Sequence, residues 1–282
     1  MRGKFVPKRQ DKIIVMLLNY EAPVRNYREK GYRASVARNL GIWEIIVNIQ
    51  IGKIRMSFNK TKCDPELGKQ VHEHLVKMGV ETPMKPNNLS RTDKIAIIET
   101  KFRDIMEALG LDLEDDSLIE TPKRVAKMYV GEIFWGLDYD AFPKCTTVDN
   151  KMKYDEMVVE RNVNVQSNCE HHFVIIDGFG MIGYIPKQKV LGLSKINRIV
   201  EYFSKRPQIQ ERLTEQVYYA LQYILDTDNI GVVIHAQHFC VKSRGVEDVG
   251  SSTITSKLGG VFKSDPSVRA EFMRLVSVND RV

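Results

Sequence analysis

The sequence predicts an α+β fold: an antiparallel sheet with helices laid against it, preceded by an N-terminal helical region. Three observations carry this. Residues 64–133 repeat the start and stop signals of helices, residues 159–241 alternate strand-like and helix-like stretches, and neither the glycine fingerprint of a dinucleotide fold nor a P-loop occurs in the chain. With 282 residues, 43% of them hydrophobic, the chain can bury a sizeable core as one large domain or two small ones.

The first 55 residues read differently from the rest. They hold 12 Lys/Arg against 4 Asp/Glu although the whole chain carries only +6, so the remainder is mildly acidic. Only Ile45–Ile51 has a strand pattern there, and no nucleic-acid motif appears. Residues 1–55 are therefore expected to be a basic extension, poorly ordered or upstream of a start at Met56, and no nucleic-acid partner is expected. Residues 56–119 read as the helical region and 120–282 as the main domain.

From Met56 the grammar is regular. Asp64-Pro65 is a cap followed by proline at the first helical position, and Leu67, Val71, Leu75 and Met78 follow at helical spacing before Gly79. Pro83–Asn88 reads as a linker. A second helix is expected over Thr92–Leu109, with Ile95, Ile98, Phe102, Ile105, Met106 and Leu109 as its apolar stripe and Gly110 closing it. Thr121-Pro122 opens a third, turning Val125, Met128, Tyr129 and Ile133 inward, with Arg124 and Lys127 sharing another face.

Val159–Val165 reads as a strand leading to Cys169, and Phe173–Ile185 as a hairpin turning near Asp177-Gly178. After Pro186, Ser194 is the expected N-cap of a helix burying Leu193, Ile196, Val200 and Phe203. Another helix begins just after Pro207 and buries Leu213, Val217, Leu221 and Ile224. A strand over Ile230–Val241 alternates so that His238 and Cys240 share one face.

The chemistry concentrates in Cys169-Glu-His171-His172 and His238-Phe-Cys240. Zinc takes cysteine sulfur and histidine nitrogen, and a catalytic zinc keeps three protein ligands and one open position. Cys169 and His172 form a Cys-x-x-His bite that curls around one ion, whereas adjacent histidines diverge on extended backbone. This assigns Cys169, His172 and Cys240 to Zn2+ and leaves His171 and His238 beside it for proton transfer. The alternative is a closed four-ligand structural zinc.

Basic residues gather around this site. Lys195 and Arg198 at a helix N-terminus suit a phosphate chain, and Arg244 lies four residues beyond Cys240. In an acidic body they point to a small polyanionic substrate. Gln210-Glu211 can donate to and accept from a purine edge, and a carboxylate that accepts N–H donors favours guanine.

These stretches, together with Gly192-Leu-Ser-Lys-Ile-Asn-Arg198, Arg206-Pro-Gln-Ile-Gln-Glu-Arg-Leu213, the run on to Gly245 and Glu120-Thr-Pro-Lys-Arg-Val-Ala-Lys-Met128, resemble GTP cyclohydrolase I. The likeness runs from about Glu66 to the C-terminus; residues 1–55 depart from it. It implies conversion of GTP and water to 7,8-dihydroneopterin triphosphate and formate, the first step of tetrahydrofolate or related pterin synthesis. It implies zinc on Cys169, His172 and Cys240, where the metal lowers the pKa of a water to about 7. By the same resemblance His171 and His238 move protons, Ser194 serves the ribose rearrangement, and Gln210 and Glu211 hold the guanine. Lys195, Arg198 and Arg244, with Arg124 and Lys127 of a neighbouring subunit, would surround the triphosphate. The implied architecture is the tunnelling fold, an antiparallel sheet with helices on one side, assembled as a homodecamer of two pentamers.

Other classes fit less well. A zinc nucleobase deaminase needs His-x-Glu and Pro-Cys-x-x-Cys signatures, and neither occurs. The longest tight apolar run, Ile13–Leu18, falls far short of the roughly 18 residues of a membrane span, and no signal-peptide pattern follows the basic start. Four cysteines make no disulfide framework and suit a reducing, cytoplasmic location.

Overall fold

A computed structural model describes residues 60–277. The candidate strand Ile45–Ile51 and the Met56 start lie outside the described residues.

Helix α1 (Pro65–Lys77) starts where the Asp-Pro pair predicts, with the Leu67 amide donating to Asp64 Oδ1 at 3.1 Å. Helix α2 (Arg91–Ala108) begins one residue before the expected Thr92, because Ser90 and Asp93 form a reciprocal capping box. Its apolar stripe is only partly covered: Met106 is buried, but Ile105 and Leu109 are exposed. Helix α3 (Thr121–Met128) buries Pro122 and Ala126, and Met128, expected inward, is exposed. Val125, Tyr129 and Ile133 are half-buried, and residues Tyr129–Ile133 continue as a π-turn, with the Phe134 amide reaching Tyr129 O.

Seven strands follow: β1 (Thr147–Asp149), β2 (Val158–Cys169), β3 (Ile175–Tyr184), β4 (Lys189–Leu191), β5 (Pro207–Gln208), β6 (Ile230–His238) and β7 (Thr253–Leu258). Strands β1 and β4 make a small ladder, and the main sheet has the order β5-β2-β3-β6-β7. All its pairings are antiparallel except the two-residue β2–β5 contact, so the sheet is mixed at that edge. Helices α4 (Leu193–Ser204) and α5 (Gln210–Leu225) cover one face, where Val165, Ile176, Ile182, Val232 and Ile234 meet Ile196, Val200, Leu213, Val217 and Leu221. Val71 and Leu75 of α1 join this same core. A short helical turn, α6 (Phe239–Lys242), ends β6, while α7 (Gly260–Ser264) and α8 (Pro266–Ser277) follow β7. These last two cover part of the opposite face, where Phe262 and Phe272 lie over Met181 and Val233.

Three local expectations change. The hairpin expected at Asp177-Gly178 is one continuous strand, and the reversal lies earlier, between β2 and β3. Gly178 serves close approach: a Cβ there would lie 2.1 Å from His235 O on the neighbouring strand. Helix α4 is entered from Gly192 rather than Ser194, which leaves Leu193 exposed on the first turn while Ile196, Val200 and Phe203 stay buried. The alternation over Ile230–Val241 stops at His238, so Cys240 sits on α6 and not on the strand face.

Arg206 clamps α1's trailing segment to the sheet domain. Its side chain is 0% exposed, and its guanidinium lies 4.7–4.8 Å from the ring centres of Tyr139, Tyr202 and Phe203. Nη1 donates to Glu81 Oε1 at 2.9 Å, and Glu81 also accepts from Tyr139 and pairs with His72. Replacing Arg206 by leucine strands a nearly buried carboxylate and is expected to destabilise the protein by about 3–5 kcal/mol. The urea midpoint at fixed protein concentration reads this; a loss below about 1 kcal/mol would contradict the role of the pair.

Candidate active site

The site forms where β2 and β6 end on either side of β3. Register pairs Asn168 with Ile175 and Ile176 with His238, which brings Cys169 and His238 to the same end of the sheet. The chain then turns tightly: the Phe173 amide donates to Cys169 O and the Cys169 amide to Val174 O, both at 2.8 Å. Phe173 holds φ at +54°, a conformation unfavourable for a bulky side chain, and its ring packs against Phe134 and Tyr129. This loop and α6 bring one ligand atom each from Cys169, His172 and Cys240 within 4.8 Å of one another.

Two thiols and one imidazole at that separation fit zinc, with room for a fourth, non-protein ligand. Cys169 is buried, Cys240 half-buried and His172 exposed, so the cluster opens to solvent on one side. Burial and the adjacent Cys169 thiol raise the pKa of Cys240. Zinc uptake therefore releases protons and weakens as pH falls.

The other two histidines fall outside the three-residue ligand set. His171 Nδ1 lies 3.7 Å from Cys169 Sγ and its ring is exposed. His238 is held by Gln210, whose Oε1 is 2.7 Å from Nε2. Burial lowers the pKa of His238, with the Glu211 carboxylate acting in the opposite direction. Arg244 reaches the site too, its Nη1 lying 2.8 Å from His172 Nε2.

The remaining expected residues lie elsewhere. Ser194 is exposed on the first turn of α4, with Lys195 and Arg198 half-buried beside it. Arg124 and Lys127 are exposed on α3. Among the described residues, no hydrogen bond, ion pair or ring contact ties these five to the Cys/His cluster. Gln210 differs from expectation in another way: it is 1% exposed and its carboxamide is fully engaged within the subunit.

The family model for GTP cyclohydrolase I matches residues 98–277. The chain belongs to the GTP cyclohydrolase I family. It is 56% identical over 208 residues to GTP cyclohydrolase 1 of Vibrio campbellii, a match covering 74% of this chain and 96% of that one. The enzyme of the same name from Enterobacter sp. is 55% identical over 217 residues, covering 75% and 98%. That of Aeromonas salmonicida is 58% identical over 195 residues, covering 69% and 89%.

The site contains one supporting pair that the spacing did not reveal. Arg212 donates to both Glu170 oxygens, at 2.5 and 3.4 Å, and the Glu170 amide donates to Gln208 O. Glu170 lies between the ligand Cys169 and His171, so Arg212 anchors the loop that carries both. The available signal was a charged residue inside each motif, with opposite signs.

Proposed function

We infer that the chain is a zinc-dependent hydrolase that converts GTP and water to 7,8-dihydroneopterin triphosphate and formate. The observation that carries this is the Cys169, His172 and Cys240 cluster flanked by two histidines outside it, in a chain of the GTP cyclohydrolase I family. A zinc ion held there supplies Lewis acidity and a water acidic enough to ionise near neutral pH. His171 and His238, both outside the ligand set, are the proton-transfer groups for the ring nitrogens and the departing one-carbon unit. Glu211, exposed at the head of α5, accepts the guanine N–H donors; with the Gln210 side chain engaged inside the subunit, that task falls to the carboxylate. Arg244, Lys195 and Arg198 neutralise the triphosphate, and Ser194 takes part in the ribose rearrangement. Incubation with GTP and zinc followed by oxidation is expected to yield pterin fluorescence; its absence would sink the assignment.

The same proposal makes the working enzyme a homo-oligomer, a decamer of two pentamers, with Arg124 and Lys127 completing a neighbour's site. Support comes from the sheet edges. Strand β7 has no partner on its outer side among the described residues, and β5 covers only Asn168 and Cys169 of β2. Two open edges at opposite ends of one sheet allow head-to-tail closure into a ring. The uncovered apolar residues Ile97, Ile105, Leu109 and Ile119 on and after α2 are further surface for such contacts. Mixed assemblies of Cys240→Ser subunits and Arg124→Ala/Lys127→Ala subunits, each inactive alone, are expected to regain turnover. A mixture as inactive as its parents would assign α3 to its own subunit's site. A cytoplasmic location belongs to the same reading, supported by a cysteine usage that makes no disulfide framework.

A further inference from the structure

Gln210 opens α5 with its side chain turned inward. Its Nε2 lies 3.0 Å from Ile234 O, 3.0 Å from Thr253 O and 3.1 Å from Thr255 Oγ1. Two of these are backbone carbonyls, which only accept, so the amide nitrogen must face them. The carbonyl end of the amide is thereby aimed at His238. The hydroxyls reinforce this orientation. Thr214 Oγ1 donates to Gln210 O at 2.8 Å and lies 2.7 Å from Thr255 Oγ1. With the Thr214 proton used on Gln210 O, Thr255 donates to Thr214, which leaves an oxygen lone pair facing Gln210 Nε2, whose two protons serve the carbonyls.

An oxygen with lone pairs 2.7 Å from a ring nitrogen is favourable only if that nitrogen carries a proton. At 1% exposure of Gln210, water does not offer His238 Nε2 an alternative partner on that side. We propose that Gln210 is a positioning residue that holds His238 as the Nε2–H tautomer, so that Nδ1 is the nitrogen presented to the substrate. The Nε2–H bond to Gln210 fixes the orientation of the ring, so Nδ1 keeps its aim. This is the role of a third group that orients a catalytic base, met here by a neutral amide braced by two strands. Its catalytic consequence rests on the reading of His238 as a proton-transfer group; the tautomer assignment does not.

The test uses full-length, zinc-loaded protein with 15N-histidine. Solid-state NMR reads which ring nitrogen is protonated, with the His238 signals identified by their loss in His238→Gln. A proton on Nε2 and a bare Nδ1 is the expected result; a bare Nε2 overturns the proposal. In parallel, Gln210→Met fills the same space without the acceptor. Its kcat is expected to fall about tenfold or more, with zinc retained and KM for GTP within about threefold of wild type. A raised KM with kcat preserved would mean that Gln210 reads the substrate instead, and would also overturn the proposal. If Gln210→Met fails to fold, the wild-type spectrum alone decides. Absence of GTP turnover in the wild type would defeat the functional reading while leaving the tautomer to be judged by its own spectrum.

Discussion

Replacing Cys240 by serine is expected to abolish zinc binding and turnover together. Among the described residues three side chains supply ligand atoms to the cluster, so loss of Cys240 leaves Cys169 and His172. A neutral hydroxyl is a poor substitute for a thiolate at zinc. Activity should drop by about a thousandfold or more, the several kcal/mol that a bound metal contributes to such a reaction. Zinc content by atomic absorption on the purified variant, with a melting curve to show that it is folded, checks both halves. A Cys240→Ser protein that keeps stoichiometric zinc would remove Cys240 from the ligand set.

His238→Ala is expected to separate what Cys240→Ser joins. His238 ends β6 and is engaged by Gln210, outside the group of atoms that could share an ion. Zinc should remain near one per subunit while kcat falls by about 10²–10⁴, the range for loss of a positioned proton-transfer group. A variant as metal-free as Cys240→Ser would overturn the division between ligands and acid/base groups. Both variants can be assayed in one preparation series, since the contrast in zinc content is more telling than either activity loss.

Signals in the sequence are legible where the physics is local. The Asp64-Pro65 cap opens α1, and the α5 stripe of Leu213, Val217, Leu221 and Ile224 is buried as its spacing predicts. The Cys-x-x-His bite closes as expected because a tight loop needs only short-range hydrogen bonds. Errors arose where a pattern has no stop signal. Alternation runs on from His238 to Cys240 although the backbone has already turned into α6. The largest omissions are long-range pairings. Gln210 meets His238 across 28 residues and Arg212 meets Glu170 across 42, and periodicity carries no information about either. They follow from β5 pairing with the end of β2 and from α5 packing on β6, both tertiary events.

The central claim is that this site opens the imidazole ring of GTP and expels its C8. Turnover of GTP labelled with 13C at C8, followed by NMR, tests it most directly. The prediction is 13C-formate released in equal amount to the pterin formed, with no label left in the pterin. Label retained in the nucleotide product, or phosphate released without formate, would contradict it.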